Sequence, residues 1–116
     1  MTRLLPLLLV ACTPVSLPPP VVCTVDDLPP GVIAQADLET QTVTLAPGWE
    51  TLPTAVRWTV LAHELCHIRG HVDEDSADCC AARAVSGYCG RVVALDAALW
   101  LQAHGRDVTS LVECVP

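Results

Sequence analysis

The sequence predicts an α+β domain, a small β-hairpin or sheet followed by three helices and stabilised by disulfides. Three observations point there. Two short segments rich in β-branched residues alternate in polarity ahead of residue 47. Three stretches with apolar residues at helical spacing follow, each closed by a glycine. Seven cysteines fall in a chain of 116 residues that is 52% apolar, a density that suits a small cross-linked core.

The first element reads as an address. Arg3 precedes the short apolar run Leu4–Val10, which Pro6 interrupts and which is far below the ~20 residues a spanning helix needs. Leu9-Val10-Ala11-Cys12 resembles a bacterial lipobox, so residues 1–11 are expected to be a lipoprotein signal peptide and Cys12 the lipid-anchored residue. Thr13 is not an acidic retention residue, so the resemblance leans towards the outer rather than the inner membrane of a bacterial envelope. Residues 12–21 hold Pro14, Pro18, Pro19 and Pro20 and form a stiff tether. The domain proper is expected over 22–116.

Within it, residues 32–37 and 42–46 alternate as strands, with Leu38–Gln41 turning between them and Pro47-Gly48 ending the second. Pro53 suits a first helical turn, and the helix it opens runs to about Arg69 before Gly70. Asp73 is placed to cap a second helix, with Glu74 and Asp75 in its first turn and Gly87 near its end. A third helix spans about Arg91 to His104, with Val92, Leu95 and Leu99 among its apolar positions and Gly105 as its stop.

Removing Cys12 from the cysteine count leaves Cys23, Cys66, Cys79, Cys80, Cys89 and Cys114, enough for up to three bridges in an exported chain. A Cys23–Cys114 bridge would close a long loop. Cys79 and Cys80 point about 100° apart on a helix, so they are expected to take different partners. The charge balance is 13 acidic residues against 6 basic, net −7. That excludes electrostatic attraction to nucleic acid or anionic lipid, and the chain is read as a monomer.

Chemistry concentrates in the first helix, which contains His63-Glu64-Leu65-Cys66-His67, the pattern H-E-x-x-H. At about 100° per residue, His63 and His67 share one face one turn apart, and both imidazoles can converge on one zinc ion. Glu64 flanks them, where it could deprotonate a zinc-activated water. Leu61 and Leu65 lie opposite the histidines, as a core stripe should, while Val56 and Val60 lie above them as the floor of a cleft. No Lys or Arg four residues away pairs Glu64, and an unpaired carboxylate on an apolar helix is costly unless a site uses it. Cys66, on the flank opposite Glu64, is expected to be disulfide-bonded rather than metal-bound.

A catalytic zinc needs a third protein ligand and an open position. Glu74, Asp73, His71, Asp75 and Asp78 all follow the motif closely enough to serve. Glu74 and Asp78 share a face of the second helix, with Ala77 and Ala81 beside them to let the two helices approach. H-E-x-x-H followed by E-x-x-A-D resembles the gluzincin metallopeptidases over residues 60–82. The resemblance implies a zincin-like active-site helix, with His63, His67 and Glu74 binding zinc, Glu64 as the general base, and Asp78 orienting a ligand histidine. Only six residues separate His67 from Glu74, fewer than is usual in that family. An aspartate ligand at Asp73, as in a variant of the metzincins, is the alternative, but that group needs a methionine turn and the only methionine is Met1.

The function these residues imply is a membrane-anchored zinc metallopeptidase that cleaves peptide bonds in a peptide or protein substrate. The alternative is a non-catalytic exported lipoprotein, a binding or structural protein of the envelope whose zinc site is structural or absent. A closed metal sphere would indicate the second and an open position beside Glu64 the first.

Overall fold

A computed structural model describes residues 22–116. The signal segment 1–11, the lipid-bearing Cys12 and the tether to residue 21 lie outside the described residues.

The expected hairpin forms. Strands β2 (Ala34–Asp37) and β3 (Thr42–Leu45) pair antiparallel, with Ala36 opposite Val43. Their turn is closed by Asp37, whose Oδ1 accepts from the backbone N–H groups of Glu39 and Thr40 at 3.0 and 3.3 Å. A third strand, β1 (Val22–Val25), was not expected; it lies parallel to β3 on the other side, giving the order β1-β3-β2. The local signal for it is the β-branched run Val21-Val22-Cys23-Thr24-Val25. Its partner lies some twenty residues away, and hairpin reasoning considers only adjacent strands. β3 is therefore central, and its Val43 and Leu45 are fully buried. β2 is left as an edge strand.

Four helices follow: α1 (Thr54–Ile68), α2 (Glu74–Cys89), α3 (Arg91–Ala103) and the short α4 (Thr109–Glu113). α1 begins directly after Pro53 and ends at Gly70, whose φ of 111° only glycine adopts without strain. Asp73 caps α2 as expected, its side chain accepting from Ser76 N–H at 2.9 Å. α2 continues through Gly87 to Cys89, because glycine is tolerated inside a packed helix. Its end comes at Gly90, with φ 100°. α4 was missed, since five residues are too few for periodicity to register.

Two expectations about buried faces are corrected. α1 has no single core stripe: Val56, Thr59, Val60, Ala62, His63 and Cys66 are buried along with Leu61 and Leu65. The sheet, α2 and α3 all pack on it, so a helix in the centre buries most of its circumference. On α3 the buried face is Ala94, Ala97, Ala98 and Leu101, whereas Val92 and Leu99 are 70% and 64% exposed. Alanines allow α3 to approach its neighbours closely, and that contact outweighs the larger side chains that a hydrophobicity pattern favours.

The cysteines follow the helices. Cys66 bonds to Cys80 and Cys79 to Cys114, so the adjacent pair does take different partners. The Cys23–Cys114 pairing is overturned: Cys23 is a free thiol buried in β1, and Cys114 follows α4, which packs on α2. Burial pushes the Cys23 thiol above its ordinary pKa, so little thiolate forms near neutrality. Cys23 is expected to resist iodoacetamide at about pH 8 until denaturant is added. Peptide mass mapping checks this, and rapid labelling of the folded protein would contradict a stably paired β1.

Candidate metal centre

The site is built from α1 and the first turns of α2. His63 and His67, one turn apart on α1, bring their Nε2 atoms within 3.0 Å of each other. Glu74, the first residue of α2, meets both: its Oε1 lies 3.0 Å from His63 Nε2 and its Oε2 3.0 Å from His67 Nε2. The three side chains offer ligand atoms all within 4.8 Å of one another and could hold a metal ion.

The donor set fits a small divalent cation. Two donors on a tetrahedral ion with bonds near 2.1 Å sit about 3.4 Å apart, a few tenths of an ångström beyond the spacings here. The second ring nitrogens are also committed. His67 Nδ1 donates to the His71 carbonyl at 2.7 Å, and His63 Nδ1 pairs with Asp78 Oδ1 at 2.7 Å. With the protons held at Nδ1, both Nε2 atoms are left free to bind a metal, as ligand histidines need.

Each rival for the third position has other work. Asp73 caps α2, His71 pairs through Nδ1 with Ser76 Oγ at 2.8 Å, and Asp75 accepts from Ser110 Oγ at 2.9 Å. Asp78, 5% exposed, is engaged by His63 Nδ1. Sequence reasoning missed Arg106, whose Nη2 donates to Asp78 Oδ1 at 2.6 Å. It compensates a buried carboxylate that would otherwise be costly. No spacing rule connects it to the motif, because it comes from the loop after α3, 43 residues beyond His63.

Glu64 is brought to the rim of this cluster. Its Oε1 accepts from the Ala36 backbone N–H of β2 at 2.9 Å, and its Oε2 lies 3.8 Å from His63 Nε2. The carboxylate that looked unpaired in sequence thus satisfies an edge-strand donor. Burial pushes the Glu64 carboxyl above its ordinary pKa, against the opposing pull of His63, His67 and the Ala36 hydrogen bond. For His63, burial alone would lower the pKa. The hydrogen bond to Asp78 and the charges of Glu64 and Asp78 outweigh that, and the net direction is upward.

Beside the cluster lies a cavity of about 290 Å³ lined by Val32, Ala34, Val60, Leu101, Arg106, His63, Glu64 and Glu74 among others. Val60 takes the cleft position expected of it, while Val56 is buried in the core instead. Asp78→Ala is expected to weaken metal binding about 10- to 100-fold while Glu74 and both histidines remain. Titration of the metal-free protein with zinc measures this; unchanged affinity would deny Asp78 an orienting role.

No family model, curated protein or solved structure matches the chain.

Proposed function

We propose that this chain is a zinc-dependent metallopeptidase of the gluzincin type, hydrolysing peptide bonds with Glu64 as general base. The observation that carries the reading is the convergence of His63, His67 and Glu74, with Glu64 at the rim and a cavity beside them. Bound zinc would supply a Lewis acid that polarises the scissile carbonyl and acidifies an attacking water.

The residues of the chain do the rest. His63, His67 and Glu74 hold the ion, and Asp78 and the His71 carbonyl fix the two rings. Glu64 takes a proton from the attacking water and passes it to the leaving amine. The apolar walls Val32, Val60 and Leu101 fit an uncharged side chain of the substrate.

The same reading keeps the domain outside the cytoplasm, tethered to a bacterial membrane through Cys12. The Cys66–Cys80 and Cys79–Cys114 bridges favour an oxidising compartment.

The test is metal content and hydrolysis together. The purified protein is expected to carry or take up about one zinc and to cleave peptides, and His63→Ala is expected to lose both. Equal zinc in the two proteins by elemental analysis would remove the ligand assignment. A zinc-loaded protein that cleaves no peptide from a diverse library would leave a metal-binding domain without the proposed activity.

A further inference from the structure

The proposed centre draws its donors from two helices joined by residues 69–73. His63 and His67 are held in register by α1 itself. Glu74 is different: it opens α2, and its side chain is 74% exposed. How α2 lies on α1 therefore decides whether the third donor reaches the imidazoles.

Beside the His63–Asp78 hydrogen bond, the seam between the two helices is packed with small residues. Ala62 of α1 and Ala77 and Ala81 of α2 are fully buried. Such side chains let helices approach closely, but each buries little apolar area, and methyl groups resist sliding or rotation weakly. Cys66 and Cys80 cross this same seam, with Cα atoms 6.1 Å apart. Cys66 directly precedes the ligand His67. Cys80 lies two residues beyond Asp78, which holds His63, and about 9 Å along the α2 axis from Glu74. Cys79 points about 100° away from Cys80 and bonds to Cys114 beyond α4, so it ties α2 to the C-terminal segment and not to α1.

We propose that the Cys66–Cys80 disulfide is a positioning element of the metal centre, fixing how α2 sits on α1 so that Glu74 meets His63 and His67. The centre then binds its ion tightly only after this pair is oxidised. The inference rests on the proposed metal centre, and it concerns the maturation of that centre. In the step itself the two thiols lose two protons and two electrons and form the S–S bond. An external disulfide accepts them and is cleaved to two thiols by exchange through a mixed disulfide. Cys66 is fully buried in the folded chain and Cys80 half-buried, so in the folded domain exchange proceeds through the Cys80 sulfur. A chain still in a reducing compartment would hold zinc poorly and be silent as a peptidase until exported.

The test compares zinc affinity, by chelator competition, across bridge-free variants of the full chain. Cys66→Ala/Cys80→Ala, and Cys66→Val/Cys80→Ala to refill the buried volume, are each expected to bind zinc at least about tenfold more weakly than wild type. Cys79→Ala/Cys114→Ala is expected to stay within about threefold of wild type. Thermal stability gives the contrast. The Cys79–Cys114 bond spans 35 residues and Cys66–Cys80 spans 14, so loss of the longer loop should cost at least as much melting temperature. Affinity and stability are thus expected to rank the two bridges in opposite orders.

Unchanged zinc affinity without Cys66–Cys80, or equal losses for the two bridges, would overturn the positioning role. So would failure of both Cys66/Cys80 variants to fold while the Cys79/Cys114 variant folds, which would make the bond a staple of the whole domain. A wild-type protein that binds no zinc would instead remove the metal centre, and with it this inference.

Discussion

Glu64→Gln is expected to lower hydrolysis about a thousandfold or more while zinc content stays at the wild-type level. The substitution keeps the shape of the side chain, and the amide oxygen can still accept from the Ala36 N–H that Oε1 now engages. What it removes is the group that can take a proton from water and return it. The fold and the donors His63, His67 and Glu74 should be untouched, because Glu64 lies at the rim of their cluster and its Oε2 is 3.8 Å from His63 Nε2. Peptide hydrolysis rates and elemental analysis on the same preparation check this. Activity within tenfold of wild type would assign the base elsewhere, and lost zinc would mean that Glu64 itself ligates.

Leu65→Ala, one residue along the same motif, is expected to act on stability instead. Leu65 is fully buried in the core shared by the sheet, α1 and α3. Truncating such a leucine removes transfer free energy and leaves a cavity, at a cost of about 3–4 kcal/mol. A domain of this size has a total of about 5–14 kcal/mol. The melting temperature should fall by about 15–25 °C. Thermal unfolding followed by circular dichroism measures it, with zinc removed so that binding does not offset the loss. A drop of only a few degrees would contradict a fully packed position. Adjacent residues of one five-residue motif would then separate cleanly, one changing rate without stability and the other the reverse.

Much of the local structure could be read from the chain because local chemistry sets it. Pro53 and Gly70 bound α1, Asp73 caps α2, and the alternation around Leu38–Gln41 makes the hairpin. The pairing of His63 with His67 follows from helical geometry alone. The errors arose where a partner was distant. β1 pairs with β3, Cys114 with Cys79, and Arg106 with Asp78, and none of these contacts has a periodic signal. On α3 the pattern of large apolar residues pointed to Val92 and Leu99, but close helix packing chose the alanines.

The choice of third donor shows the division most clearly. Glu74, Asp73, His71, Asp75 and Asp78 were all within reach as sequence, and the resemblance to gluzincins favoured Glu74 without excluding the rest. Tertiary structure separated them by giving each a different partner: Asp73 the cap, Asp75 a serine of α4, Asp78 the back of His63, and Glu74 the two imidazoles. By itself the sequence determined the α+β class, the helix carrying the motif and the convergence of its two histidines. All of these depend on neighbours within about two turns, through backbone hydrogen bonds and side-chain spacing. The tertiary structure decided the buried face of each helix, the cysteine partners and the carboxylate that meets both imidazoles. Those depend on how α1, α2 and the sheet pack, and packing is a property of surfaces brought together by the whole chain.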